Sequence, residues 1–183
     1  MKNAIILHGT SCNPNSFWQP KIKEFLQNKG YDVWVPSLPE PDTPNLKSQL
    51  PFVLKSGEFN DKTIIIGHSA GAPLALAVLE NIKVRIHKAV LVAGYARPKG
   101  KAKKTELILQ EKYNWKKIKH NAKEIIFINS DNDPWGCDDK EGYFMFEHLG
   151  GKLIILHGEG HMGSESFNQP YKEFPLLEKL LEL

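Results

Sequence analysis

The pentapeptide Gly67-His68-Ser69-Ala70-Gly71 stands between an apolar β-type run, Thr63 to Ile66, and a helix-type run, Leu74 to Leu79. A strand that turns abruptly into a helix leaves the residue at the tip exposed above a sheet and within reach of a base. That placement is what a serine hydroxyl needs, because in an ordinary setting it is a poor nucleophile. Gly67 and Gly71 have a steric role, since a Cβ at either place would obstruct the close approach of strand and helix. The expectation is a nucleophile elbow with Ser69 at its tip, and an elbow in turn demands a sheet flanked by helices.

The rest of the chain supplies that sheet. Short β-type runs recur at Ala4 to Leu7, Tyr31 to Val35, Thr63 to Ile66, Ala89 to Ala93, Glu124 to Asn129 and Leu153 to Leu156. Most are continuously apolar, the pattern of parallel strands covered on both faces. Between them, Trp18, Ile22, Phe25 and Leu26 share one helical face, and Gly30 follows where a helix ends. Further helices are expected over about Leu46 to Lys55, after the elbow, over about Lys140 to His148, and from Pro175 to Leu183. The connection from Ala96 to Asn121 is long and basic; Leu107, Ile108, Tyr113, Trp115 and Ile118 predict one or two helices within it.

With 183 residues and 41% hydrophobic content, the chain reads as one domain, residues 1–183, with a single sizeable core. Its net charge of +3 is uneven, because Arg97, Lys99, Lys101, Lys103, Lys104, Lys112, Lys116, Lys117, Lys119 and Lys123 crowd one stretch. A charge run of this kind reads first as a solvated face, and the near-neutral total argues against a nucleic-acid binder. Cys12 and Cys137 are far apart and form neither a disulfide framework nor a metal-ligand spacing. No signal-peptide or membrane-spanning pattern is read, so the expected location is the cytoplasm, with no membrane partner.

A reactive serine requires a histidine to take its proton and an acid to hold that histidine in the right tautomer. After the fifth β-type run comes Ser130-Asp131-Asn132-Asp133-Pro134, and after the sixth comes His157-Gly158-Glu159-Gly160-His161. The order Ser, Asp, His is that of an α/β hydrolase. Of the two acids, Asp133 is favoured over Asp131, because the following proline keeps its backbone extended and lets the side chain reach the next loop. Of the two histidines, His161 is favoured over His157, since Gly158 and Gly160 permit a loop curved over the serine. An oxyanion would be met by the backbone N–H of Ala70, at a helix start, and by that of Thr10 in the loop after the first strand. His8 and His68 read as supports of the loop and the elbow. Phe17, Trp18, Tyr95 and Trp135 are candidates for the substrate pocket's mouth.

Five segments carry a resemblance: HGT at 8–10, FWQP at 17–20, GHSAG at 67–71, NWKKIK at 114–119 and SDNDPW at 130–135. Together they resemble the small α/β serine hydrolase family that includes YdeN and retinoblastoma-binding protein nine, over nearly the whole chain. The resemblance implies a compact α/β hydrolase fold with Ser69, Asp133 and His161 as catalytic residues, acting as a hydrolase of small esters or as a peptidase on activated acyl groups. No leucine-x-cysteine-x-glutamate run occurs, so retinoblastoma binding is not implied.

The expected architecture is a three-layer α/β hydrolase with a six-stranded, mainly parallel sheet in the order 2-1-3-4-5-6. The expected activity is hydrolysis of a small carboxylic ester, thioester or amide through an acyl-enzyme on Ser69, with no metal or organic cofactor. The rival reading is a non-catalytic interaction module on the same scaffold.

Overall fold

Ile64, Ile65 and Ile66 are wholly buried side by side, which a strand permits only when helices cover both faces of its sheet. In a computed structural model, which describes residues 1–99 and 106–182, that condition is met throughout the centre of the molecule. The elements alternate: β1 (Asn3–Leu7), α1 (Gln19–Asn28), β2 (Asp32–Trp34), α2 (Leu46–Ser56), β3 (Ile64–His68), α3 (Gly71–Asn81), β4 (Ile86–Val92), α4 (Trp115–His120), β5 (Ala122–Ser130), α5 (Asp139–Leu149), β6 (Lys152–Leu156) and α6 (Pro175–Glu182). The six strands form one sheet in the order β2-β1-β3-β4-β5-β6, and every adjacent pair is parallel. This is the expected α/β hydrolase architecture and strand order.

Strand ends differ from the apolar runs for identifiable reasons. β4 begins at Ile86 and takes in Lys88, a charge that interrupts the apolar pattern. Lys88 is nevertheless buried: its ammonium is 3.1 Å from a Glu124 carboxylate oxygen and donates to the Leu180 carbonyl at 2.7 Å. β3 continues through Gly67 and His68, whose backbones pair with Leu91 and Val92 of β4. The elbow therefore leaves the sheet at Ser69 itself.

Among its described residues the basic connection holds one helix, α4, capped by Asn114, whose side chain accepts from the Lys117 N–H at 3.1 Å. Ile108 and Ile118 are core residues as expected, whereas Leu107 is 65% exposed and contributes no packing there. Tyr113 and Trp115 stack at 4.6 Å. Lys101, Lys103 and Lys104 lie outside the described residues, as does Leu183, the last residue expected in the C-terminal helix.

Register is what positions the elbow. Leu7 of β1 lies opposite Gly67 of β3, so the loop leaving β1 and the turn leaving β3 emerge together. A Cβ at Gly71 would sit 2.1 Å from the Leu7 carbonyl oxygen, so only glycine lets α3 start this close to the end of β1.

Candidate active site

Ser69 has φ 53°, in the left-handed region that an unbranched residue enters only when its surroundings hold it there. Its N–H donates to the Val92 carbonyl at 2.9 Å, which ties the strained turn to β4. Beyond it Ala70, the N-cap of α3, makes no side-chain cap bond, and its own amide stands at the positive end of the helix dipole. The loop after β1 passes directly alongside, and a Cβ added at Gly9 would stand 2.9 Å from that of Ser69. Thr10, Ser69 and His161 line one cavity of about 350 Å³.

The acid and histidine loops are laced together residue by residue. Ser130 Oγ accepts from the Glu159 N–H at 3.0 Å, and Asn132 Oδ1 accepts from the Gly160 N–H at 2.8 Å. Asp131 takes the Gly158 N–H at 2.9 Å on one oxygen and His157 Nδ1 at 2.6 Å on the other. Asp133 Oδ2 lies 2.6 Å from His161 Nδ1, while its Oδ1 accepts from the Trp135 N–H at 2.8 Å. The four side chains of SDND thus hold the loop HGEGH, and they form two parallel acid–histidine pairs with opposite exposures. The His157 side chain is 96% exposed, and its pair with Asp131 is a surface latch. The side chains of His161 and Asp133 are 7% and 0% exposed, so theirs is the buried pair that reaches the cavity with Ser69.

The hydrogen bond to Asp131 holds His157 above the ordinary imidazole range. The Gly158 amide, and then His157 itself, hold Asp131 below the ordinary carboxylate range. His8 shapes its loop as expected. Its Nε2 accepts from the Leu38 N–H at 3.1 Å, leaving Nδ1 to donate to the Gly9 carbonyl at 3.0 Å. Burial lowers its pKa, so the ring stays neutral.

The profile of the serine hydrolase family matches residues 4–182, a stretch that includes both laced loops and the elbow. The chain belongs to the serine hydrolase family. It is similar to the serine hydrolase RBBP9 of Rattus norvegicus, with 29% identity over 154 residues, covering 83% of this chain and 81% of the relative. It is also similar to YdeN of Bacillus subtilis strain 168, with 27% identity over 135 residues and coverage of 72% and 71%. The crystal structure of the B. subtilis ydeN gene product superposes with a TM-score of 0.89 at 22% identity, covering 100% of this chain and 97% of that one.

In this serine hydrolase family member, three of the four expected pocket aromatics line the cavity: Phe17, Tyr95 and Trp135. Trp18 does not. Its ring is wholly buried, in T-shaped contact with His68 at 5.5 Å and Phe174 at 5.9 Å. Its indole N–H is spent on the Met162 carbonyl at 2.9 Å, a buried partner that removes any need for a position at the mouth. Sequence reading missed Lys99, Glu106 and Cys12, all of which line the cavity. Lys99 sits 2.7 Å from a Glu106 oxygen and 4.2 Å from the centre of the Tyr95 ring, while the Tyr95 hydroxyl donates to the other Glu106 oxygen. Buried and beside Glu106, the Tyr95 phenol is held well above its ordinary range.

Among the described residues, Asp133, Cys137 and His161 are the acid, thiol and imidazole closest to a metal-binding arrangement, their ligand atoms lying within 4.8 Å of one another. The Asp133–His161 hydrogen bond already occupies two of these groups, and burial, with the Asp133 charge, pushes the Cys137 thiol well up. The thiol thereby keeps its proton.

His68 is fully buried, and that burial, reinforced by the nearby His161, pushes it down to about 3. The unfolded chain protonates this imidazole near about 6.5 and the folded one does not, so in between the unfolded state binds more protons and stability falls as pH drops. Replacing His68 by Phe removes this proton linkage. Urea unfolding at about pH 7 and at about pH 4.5 should show the acid-side loss shrinking by roughly 2–3 kcal/mol in the variant. An unchanged slope would assign the acid sensitivity elsewhere.

Proposed function

We propose that the protein hydrolyses a small carboxylic ester, thioester or amide through an acyl-enzyme on Ser69. The observation that carries this reading is the buried hydrogen bond of 2.6 Å between Asp133 and His161, opening on the cavity that Ser69 shares. Asp133 holds the proton on His161 Nδ1 and leaves Nε2 free to accept. As the Ser69 oxygen bonds to the substrate carbonyl carbon, His161 Nε2 takes the hydroxyl proton. The carbonyl oxygen gains negative charge, which the amides of Ala70 and Thr10 meet. The tetrahedral adduct collapses, the bond to the leaving group breaks, and His161 hands its proton to the departing oxygen, sulfur or nitrogen. Water then repeats the sequence on the acyl-enzyme, releasing the acid and restoring Ser69.

Cavity size and lining support compact, polar acyl compounds as substrates. Hydroxyls from Thr10, Ser11, Ser16, Ser164 and Ser166 and the charged pair Lys99–Glu106 alternate with the rings of Phe17, Tyr95 and Trp135. About 350 Å³ is at the small end of ligand pockets. With p-nitrophenyl esters of increasing chain length, kcat/KM should peak at two to four carbons, on the order of tenfold or more above that for a twelve-carbon chain. A rise toward long chains would replace the small-acyl reading with a lipase-like one.

The partner proposed is therefore a small-molecule acyl substrate in the cytoplasm, with no part for nucleic acid or membrane. Among the described residues, no helix is long and apolar enough to cross a membrane. Covalent labelling by a fluorophosphonate probe tests the reading directly. The probe should mark the parent protein and spare Ser69→Ala; a parent protein that resists labelling would favour the interaction module on a hydrolase scaffold.

A further inference from the structure

Two conspicuous sequence features take no part in the chemistry above: Trp18 of the FWQP segment and His68 beside the nucleophile. Both point at the same stretch of backbone. Around His161 the chain has left-handed φ at Gly160 (58°), Met162 (51°) and Gly163 (130°). A non-glycine residue such as Met162 stays in that region only where neighbouring groups over-determine it. The neighbouring groups are ring donors from two other elements. His68 Nε2 is 3.0 Å from the His161 carbonyl, and Trp18 Nε1 is 2.9 Å from the Met162 carbonyl. A carbonyl only accepts, so His68 must carry its proton on Nε2. Its Nδ1 is buried with no hydrogen-bond partner among the described residues.

The two donors form a rigid unit. The Trp18 and His68 rings meet edge to face at 5.5 Å, and both residues are 1% exposed or less. The His68 ring also lies 5.1 Å from that of His161. His68 is bonded in sequence to Ser69 and hydrogen-bonded to the backbone of His161, so the position of one fixes the other. A 1 Å drift between them would matter, since misplacement of that size can cost about 10²-fold in rate. His68 cannot itself act as the base, because its single proton and its donor geometry are committed to the carbonyl.

We propose that His68 and Trp18 are positioning residues that hold His161 in register with Ser69 by donating their ring N–H groups to the carbonyls of His161 and Met162. This rests on the hydrolase reading for its kinetic consequence, but its structural consequence is independent. His68→Phe keeps the ring packing and removes the donor, whereas His68→Gln supplies an amide N–H at the reach of Nε2.

Two measurements are made on the parent, both His68 variants and Trp18→Phe. In ester hydrolysis, His68→Phe should lower kcat on the order of 10- to 100-fold with KM within about twofold, and His68→Gln should recover most of the loss. Trp18→Phe should show the same kcat-only signature, which keeps the proposal testable if His68→Phe fails to fold. In proton NMR, the His161 Nδ1–H held by Asp133 should give a far-downfield resonance, assigned by its absence in His161→Ala. That resonance should broaden or vanish in His68→Phe and return in His68→Gln. Unchanged kcat and an unchanged resonance in His68→Phe overturn the proposal, and so does a loss that Gln fails to restore, which would make the effect one of packing. If Ser69→Ala still hydrolysed the ester at the parent rate, the hydrolase reading would fall while the resonance continued to judge the clamp.

Discussion

Ester hydrolysis by Ser69→Ala is expected to fall by on the order of 10³-fold or more, with thermal unfolding almost unmoved. The separation of activity from stability follows from what Ser69 contributes to the fold. Its backbone carries the structural burden: the strained φ and the bond from its N–H to Val92 remain in the variant. Alanine also keeps the Cβ that stands 2.9 Å from where a Cβ at Gly9 would be, so the close approach of the two loops is preserved. Only the hydroxyl goes, and with it the covalent intermediate. The amides of Ala70 and Thr10 and the cavity walls stay in place, so a residual rate above that in water is expected to survive. Steady-state turnover of a p-nitrophenyl ester, read beside circular dichroism melting, checks both halves. Parent-level turnover in the variant would remove Ser69 from the mechanism.

How much of this was open to sequence reading depends on whether a residue's role is set locally. The elbow is local: glycines at 67 and 71 flanked by an apolar strand and a helix announce it, and the structure has it where the letters are. Alternation of the two element types along the chain made a parallel sheet legible, and the order of its strands was implied by the α/β hydrolase resemblance. Lys88 shows where local pattern fails. A lysine interrupts an apolar run in the sequence, yet Glu124 and a carbonyl of α6 make it a core residue, and neither is near in sequence. Trp18 failed in the opposite sense, since an aromatic beside a pocket residue looks like a pocket residue until a carbonyl 144 positions away claims its N–H. Lys99 was hidden inside a basic run that otherwise reads as solvated surface, and only its contact with Glu106 and Tyr95 distinguishes it. The twin acid–histidine pairs lie between these cases. Both are spelled out in the sequence, but which one is buried is set by tertiary packing: the His157 side chain is 96% exposed and that of His161 7%.

That difference in depth makes the second large prediction. Asp133→Asn should lower turnover by about 10⁴-fold, whereas Asp131→Asn should change it by no more than a few-fold. At Asp133 the amide has no acceptable orientation. If its oxygen keeps the Trp135 N–H, its NH₂ group faces His161 Nδ1 and forces the tautomer whose Nε2 carries the proton and cannot take another. If the amide flips to offer its oxygen to Nδ1–H, two donors meet at the Trp135 amide in a site where the Asp133 side chain is 0% exposed. Asp131 also accepts two bonds, from His157 and Gly158, but its side chain is 36% exposed, so water can satisfy whatever an amide leaves unmet. The latch of SDND onto HGEGH would loosen at one rung, with Ser130, Asn132 and Asp133 still holding the others. Steady-state kinetics of the two variants under one set of conditions decide the assignment. A larger loss in Asp131→Asn than in Asp133→Asn would move the orienting acid to the exposed pair and require the histidine loop to rearrange before catalysis.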